Sequence, residues 1–191
     1  REGQGLFAAT LMQQMTALPV EEEGRLNDPV LRENFLERVF AYRRVRSLFA
    51  RRWRPKDVIA FHTAHKLQLM AHSPAAYREL GRYVADVTQH PRAEVREHYE
   101  TALMQALSRR ATTRRHFNVL QHILGYFRGE LDDHSYKELH RVCDDYFQGL
   151  VPLIVPITLI RHHVYRLGIS YLAGQVYLEP HPKELMLRNH V

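Results

Sequence analysis

A chain of 191 residues, 45% hydrophobic and 25% charged, is long and apolar enough for one folded domain, or one domain plus an arm, without a covalent staple. Its formal charge is +6, and an excess of basic side chains favours an anionic partner such as nucleic acid, with an anionic membrane surface or plain solubility as alternatives. Cys143 is the only cysteine, which excludes an intrachain disulfide and any thiolate-held metal or iron–sulfur centre built from this chain alone.

Residues 1–27 differ in character from the rest: Leu6 to Met15 reads as a weak helix, and the acidic run Glu21–Glu23 follows. The predicted division is 1–27 as the end of a preceding domain plus linker, and 28–191 as a helical domain. Setting aside Arg1, Arg25, Glu2, Glu21, Glu22 and Glu23, residues 28–191 keep 25 basic against 17 acidic side chains. Asp28 before Pro29 is an N-cap followed by proline at the first helical position. From there Phe35, Val39, Tyr42, Arg46, Phe49 and Trp53 fall at helical spacing and predict an apolar seam. Pro55 restarts the chain into a second helix ending near Ala71. Ser73–Pro74 opens a third to about Thr88, and Pro91 a fourth to about Arg110. Thr112 caps a fifth that reaches Arg128 before Gly129. Asp132 or Asp133 caps a sixth, and a seventh runs to Leu167 before Gly168. In the tail, Val176–Leu178 is read as extended and Pro182 as the start of a last turn. With no sustained strand alternation and no internal repeat, the fold class is all-α: a single helical bundle of about seven helices with a short irregular C-terminal tail.

Charge is segregated along this pattern. Arg43, Arg44, Arg46, Arg51, Arg52, Arg54 and Lys56 occur with no intervening acid. If the first helix runs through them, Arg43, Arg44, Arg51 and Arg54 share an arc of about 100°. Such a face can track phosphates, and it would serve equally as a solvated surface. Arg109, Arg110, Arg114 and Arg115 form a second cluster at a helix junction, where the free N–H groups after Thr112 would seat an anion. Salt bridging to distant carboxylates is the alternative. Arg161 and Arg166 belong to a third acid-free stretch.

Catalytic patterns are weak. There is no Gly-rich phosphate loop and no GxSxG elbow, and Cys143 is followed by two acids that would raise its thiol pKa. His62 and His65 lie at i,i+3 with Lys66 beside them and His72 further on, but no HExxH pattern accompanies them, so satisfied core or interface histidines are the expectation and no metal is assigned. Tyr126, Phe127, Tyr146, Phe147 and Tyr165 are stacking candidates that fit a core equally well. No catalytic residue is assigned. The lack of an initiator Met reads as a fragment of something longer. Neither a signal pattern nor a stretch of about 20 apolar residues is present, so a reducing, cytoplasmic setting off the membrane is the default.

Several longer motifs resemble the YbgA-like domain family. They are Phe61-His62-Thr63-Ala64-His65-Lys66 through Tyr77-Arg78-Glu79-Leu80-Gly81, Arg115-His116-Phe117-Asn118-Val119-Leu120-Gln121-His122, Gly149 to Pro156, Tyr171 to Gln175, and Pro180-His181-Pro182-Lys183 through Arg188-Asn189-His190. The likeness covers roughly residues 30–191. Residues Gly5–Ala8 and Leu18–Leu26 resemble the end and junction of a thiouracil/tRNA thiouridine desulfidase (TudS/RudS-like) domain, behind which members of this family are found fused. The resemblance implies a parent that removes sulfur from thiolated uridine in tRNA, with an iron–sulfur cluster on three cysteines of the fused domain and a tRNA-gripping role for this one. With Cys143 alone, this chain lacks the cluster-binding set and is not expected to catalyse that reaction or to hold a cofactor.

The leading expectation is therefore an auxiliary tRNA-binding domain working beside a fused desulfidase domain. Two other readings stand beside it. One is an enzyme site in which His62, His65, Lys66, His116 and His181 converge; the other is an interaction module that holds its fused partner or forms a homodimer.

Overall fold

The computed structural model describes residues 17–190 together with Thr10 and Gln14. Of the helix expected over Leu6 to Met15, only Thr10 and Gln14 are described, both helical, and the rest lies outside the described residues. Among the described residues the chain is all-helical and has no strand. Its helices are α1 (Pro29–Phe49), α2 (Pro55–His72), α3 (Pro74–Ala85), α4 (Arg92–Ser108), α5 (Thr113–Leu124), α6 (Asp133–Phe147), α7 (Ile154–Leu167) and the one-turn α8 (Ser170–Ala173). Single 3₁₀ turns punctuate and follow them, so the helix count slightly exceeds seven.

Short polar side chains set the helix starts. Asp28 accepts from the N–H groups of Val30 and Leu31, with Pro29 supplying a fixed φ where no intrahelical donor is needed. Asp57 reaches back to the Arg54 N–H at 2.8 Å to open α2, Ser73 takes the Ala76 N–H to open α3, Thr112 the Arg115 N–H for α5, and Asp132 the Ser135 N–H for α6. Gly168 ends α7 in the left-handed region at φ 67°, a conformation that costs a residue with a Cβ about 1 kcal/mol.

The packing centres on α2, which contributes to two cores. Leu67 and Ala71 share one core with Val119, Leu120 and Ile123 of α5, Leu139 and Cys143 of α6 and Ile157 and Ile160 of α7. Val58 and Leu69 meet Ala41, Val45 and Phe49 of α1, Leu80 of α3 and Tyr99 and Leu103 of α4. Each fully buried aliphatic side chain contributes about 1.5–3 kcal/mol of transfer free energy. With apolar neighbours on both sides, α2 buries His62, His65 and His72 as well.

Three expectations need correction. The α1 stripe that faces inward is Glu33, Glu37, Ala41, Val45 and Phe49, not the seam through Val39 and Arg46, both of which are exposed. Two carboxylates can occupy that stripe because cationic partners meet them there, as described below. α1 also stops at Phe49, so Trp53 belongs to the following loop, where the Arg92 guanidinium lies 4.5 Å from its ring centroid. Finally, Val176–Leu178 is a 3₁₀ turn rather than extended, and it buries Tyr177 and Leu178 against the α5–α7 core.

Candidate functional site

The C-terminal tail is fastened to α1 by a buried charge network. Arg188 is 2% exposed, and every guanidinium nitrogen is used: Nε donates to Glu33 Oε1 at 3.3 Å, Nη2 to Glu37 Oε1 at 2.6 Å and Nη1 to the Tyr177 carbonyl at 2.7 Å. Its own carbonyl accepts from the Ile154 N–H at the start of α7, and its backbone holds φ at 68°, an unfavourable region for a residue with a Cβ. The other oxygen of Glu37 lies 3.0 Å from His72 Nε2, while His72 Nδ1 lies 2.7 Å from the Arg109 carbonyl. Both ring nitrogens thus face acceptors, which they satisfy together only as donors. Burial pushes the Glu37 carboxyl up, but Arg188 and His72 outweigh it and hold it far below the usual carboxylate range. Glu33 behaves oppositely: burial and the neighbouring Glu37 charge raise it to about 7 despite Arg188. His190 Nε2 lies 3.4 Å from Glu33, and His116 beside the network shares a 2.9 Å hydrogen bond with the Tyr177 hydroxyl. Burial first, and Arg188 second, lower His116 to about 3. A cleft of about 320 Å³ opens over these groups, with Arg110 on its wall.

A basic groove lies further along α1, toward its C-terminal end. Arg43, Arg44, Arg51 and Arg52 line one cleft of about 740 Å³ together with Phe40 and Phe61. Arg44 and Phe40 also line a second cleft, of about 790 Å³, which holds Arg161, His181 and Lys183. The two clefts therefore meet at Arg44, whose Nη2 donates to the Pro180 carbonyl at 2.6 Å while Nη1 has no partner. His65 stacks on Phe61 at 3.9 Å and donates from Nδ1 to the Phe61 carbonyl at 2.7 Å, leaving Nε2 unpartnered in the same groove. Burial lowers His65 to about 4. Arg43, Arg51, Arg52 and Lys56 make no ion pair with a described residue, whereas Arg54 pairs with Asp57 at 3.6 Å and Arg161 with Glu179.

The other arginines are placed elsewhere. Arg115 turns back to the carbonyls of His72 and Arg110, capping the C-terminal end of α2. Arg109 lines a cleft with Glu79, Glu94 and Glu97, and Arg110 the cleft over Glu33 and Glu37. Arg114 and Arg166 are exposed, as are Asn118, His122 and Asn189. The five residues weighed as a catalytic set do not share a pocket: His62 and Lys66 line a cleft between α2 and α3, His65 the arginine groove, His116 the Glu33 cleft and His181 the tail groove. Cys143 is buried, and burial with Asp144 pushes its thiol up to about 12. Phe127 and Tyr146 are core residues, while Phe147 and Tyr165 are exposed. Among the described residues no group of three or more His, Cys, Asp or Glu side chains is placed to hold a metal ion, and no helix is long and apolar enough to cross a membrane.

Sequence reasoning missed Glu33 and Glu37, whose i,i+4 spacing marked a common face but gave no sign that the face is inward. It also missed Tyr177 as a partner of His116.

These features define a helical domain with a tail-locked basic groove and a separate buried ion network. The chain belongs to the family described as "Protein of unknown function (DUF1722)", whose model matches residues 66–182. It is 32% identical over 158 residues to the Escherichia coli (strain K12) "Uncharacterized protein YbgA", covering 82% of this chain and 94% of that protein. No solved structure matches it.

Proposed function

We propose that this domain binds RNA, and that it holds tRNA for a separate iron–sulfur desulfidase domain. The observation that carries the RNA reading is the groove in which Arg43, Arg44, Arg51 and Arg52 lie together, three of them exposed and free of ion pairs with described residues. Cations fixed along a groove exchange bound counterions for phosphates, giving affinity that falls steeply with salt. The groove continues past Arg44 to Lys183, with Arg161 beside it held by Glu179. The choice of tRNA and of a desulfidase partner rests on the likeness of residues 1–27 and of the family motifs to such fused proteins.

The test is a gel-shift titration with total tRNA across a salt series, with duplex DNA as competitor. Arg43→Glu, Arg51→Glu and Arg52→Glu combined should weaken tRNA binding and reduce the salt slope by about one per lost phosphate contact. Unchanged affinity and slope would remove the groove from the binding surface.

A further inference from the structure

We propose that the cleft between α2 and α3 is a binding site for a nucleoside monophosphate unit, separate from the arginine groove. It measures about 780 Å³, within the usual range of small-ligand pockets and far larger than a bare phosphate needs. Lys66, Arg78 and Arg82 line it with no carboxylate among the lining residues, and none of the three forms an ion pair with a described residue. Ile59, 45% exposed, and Tyr77 give the same cleft an apolar wall. A cationic rim over an apolar wall fits a ligand with an anionic group at one end and a flat ring at the other.

The floor is the ring of His62. His62 is 2% exposed and lies 3.1 Å through Nδ1 from the Tyr99 hydroxyl, which is buried and has no other hydrogen-bond partner. A buried hydroxyl proton needs an acceptor, so Tyr99 donates to Nδ1 and the neutral ring carries its hydrogen on Nε2. Burial, with Lys66 as the lesser cause, lowers His62 to about 4, which keeps the ring neutral. That Nε2 donor has no partner in the protein. Gly81 lies against it, and a Cβ there would sit 3.8 Å from Nε2, an ordinary contact. Alanine would therefore fit and would favour the helix by about 1 kcal/mol. Glycine at this interior position of α3 leaves the cleft open beside the His62 ring, while Nε2 itself is closed to solvent under Gly81.

The nucleotide has two possible sources. It can be free, or it can be an unpaired residue of a bound RNA; only the second rests on the RNA reading above. In NMR titrations of the chain, UMP should shift the His62 imidazole and the amides around Lys66 and Arg78. Inorganic phosphate or uridine alone should do so at least about tenfold more weakly, since each offers one half of the contacts. Gly81→Leu and the pair Arg78→Glu with Arg82→Glu should each weaken UMP about tenfold or more, with thermal unfolding reporting an intact fold, and Gly81→Ala should keep binding. Arg43→Glu with Arg51→Glu should weaken RNA binding and leave UMP untouched. A short single-stranded RNA that perturbs His62 identifies the RNA residue as the occupant, whereas UMP binding without it identifies the free nucleotide. The proposal is overturned if UMP leaves His62 unperturbed, if phosphate matches UMP, or if the shifts fall around Arg44. RNA binding that persists in that event leaves the groove assignment standing.

Discussion

Arg188 Nη2 donates to Glu37 Oε1 at 2.6 Å, and both side chains are almost wholly withdrawn from solvent. A buried pair of this kind contributes little relative to apolar packing, but losing one member strands the other as an uncompensated charge. Arg188→Met should therefore cost about 3–5 kcal/mol, read as a lower urea midpoint. Glu37→Gln in the same background should recover part of that loss. Equal stability of Arg188→Met and the parent would mean that the tail is not held through this contact.

Glu33 shares Arg188 with Glu37 yet shifts the opposite way, and the two should differ in their tolerance of neutralisation. With its carboxyl raised to about 7, Glu33 contributes stability that is present below its ordinary pKa and is lost as pH rises through 7. Glu37 contributes stability present above its ordinary value and lost as pH falls through its depressed one. At pH 8, Glu33→Gln should change stability by less than about 1 kcal/mol, while Glu37→Gln should cost about 3 kcal/mol. Denaturant titrations of the two variants side by side decide the matter.

Acid should weaken the fold before the carboxylates other than Glu33 titrate. His62 and His65, lowered to about 4, and His116, lowered to about 3, stay neutral in the folded state. Below pH 6.5 the unfolded rings take up protons that the folded ones refuse, so stability falls as pH drops from 6.5 toward 4. Each such proton is worth about 1.4 kcal/mol per pH unit. His65→Phe, able to keep the stack on Phe61, should flatten the slope by about one proton; an unchanged slope would show that His65 is not among the groups responsible.

Arg115 and Arg51 should separate folding from binding. The Arg115 guanidinium serves two backbone carbonyls, so Arg115→Ala should lower stability by about 1–2 kcal/mol. Its tRNA affinity, measured where it is folded, should hold. Arg51→Ala should do the reverse, lowering affinity and leaving the melting curve in place.

Much of the bundle was legible in the sequence because its boundaries are written in local chemistry. Asp28, Ser73, Thr112 and Asp132 each cap the helix expected of them, and Gly168 stops α7. The inward face of α1 was not legible, since Glu33 and Glu37 read as surface until a cation from the tail is known to meet them. The arginine array was legible for the wrong reason. Arg51 lies beyond the end of α1, so helical angles do not place it, yet the loop after Phe49 keeps it in the groove with Arg43 and Arg44. The separation of His62 from His65 into different clefts follows from α2 having neighbours on both sides, a tertiary fact that spacing alone does not encode.

Glu37 and Arg188 stand 151 positions apart. During synthesis on a ribosome, α1 emerges long before the cation that neutralises its carboxylates. Until then those acids stay better hydrated than packed, which delays burial of the first helix and keeps the arginine-lined cleft from maturing early. Premature termination anywhere before position 188 would leave Glu33 and Glu37 without their shared guanidinium, a product suited to degradation rather than to use.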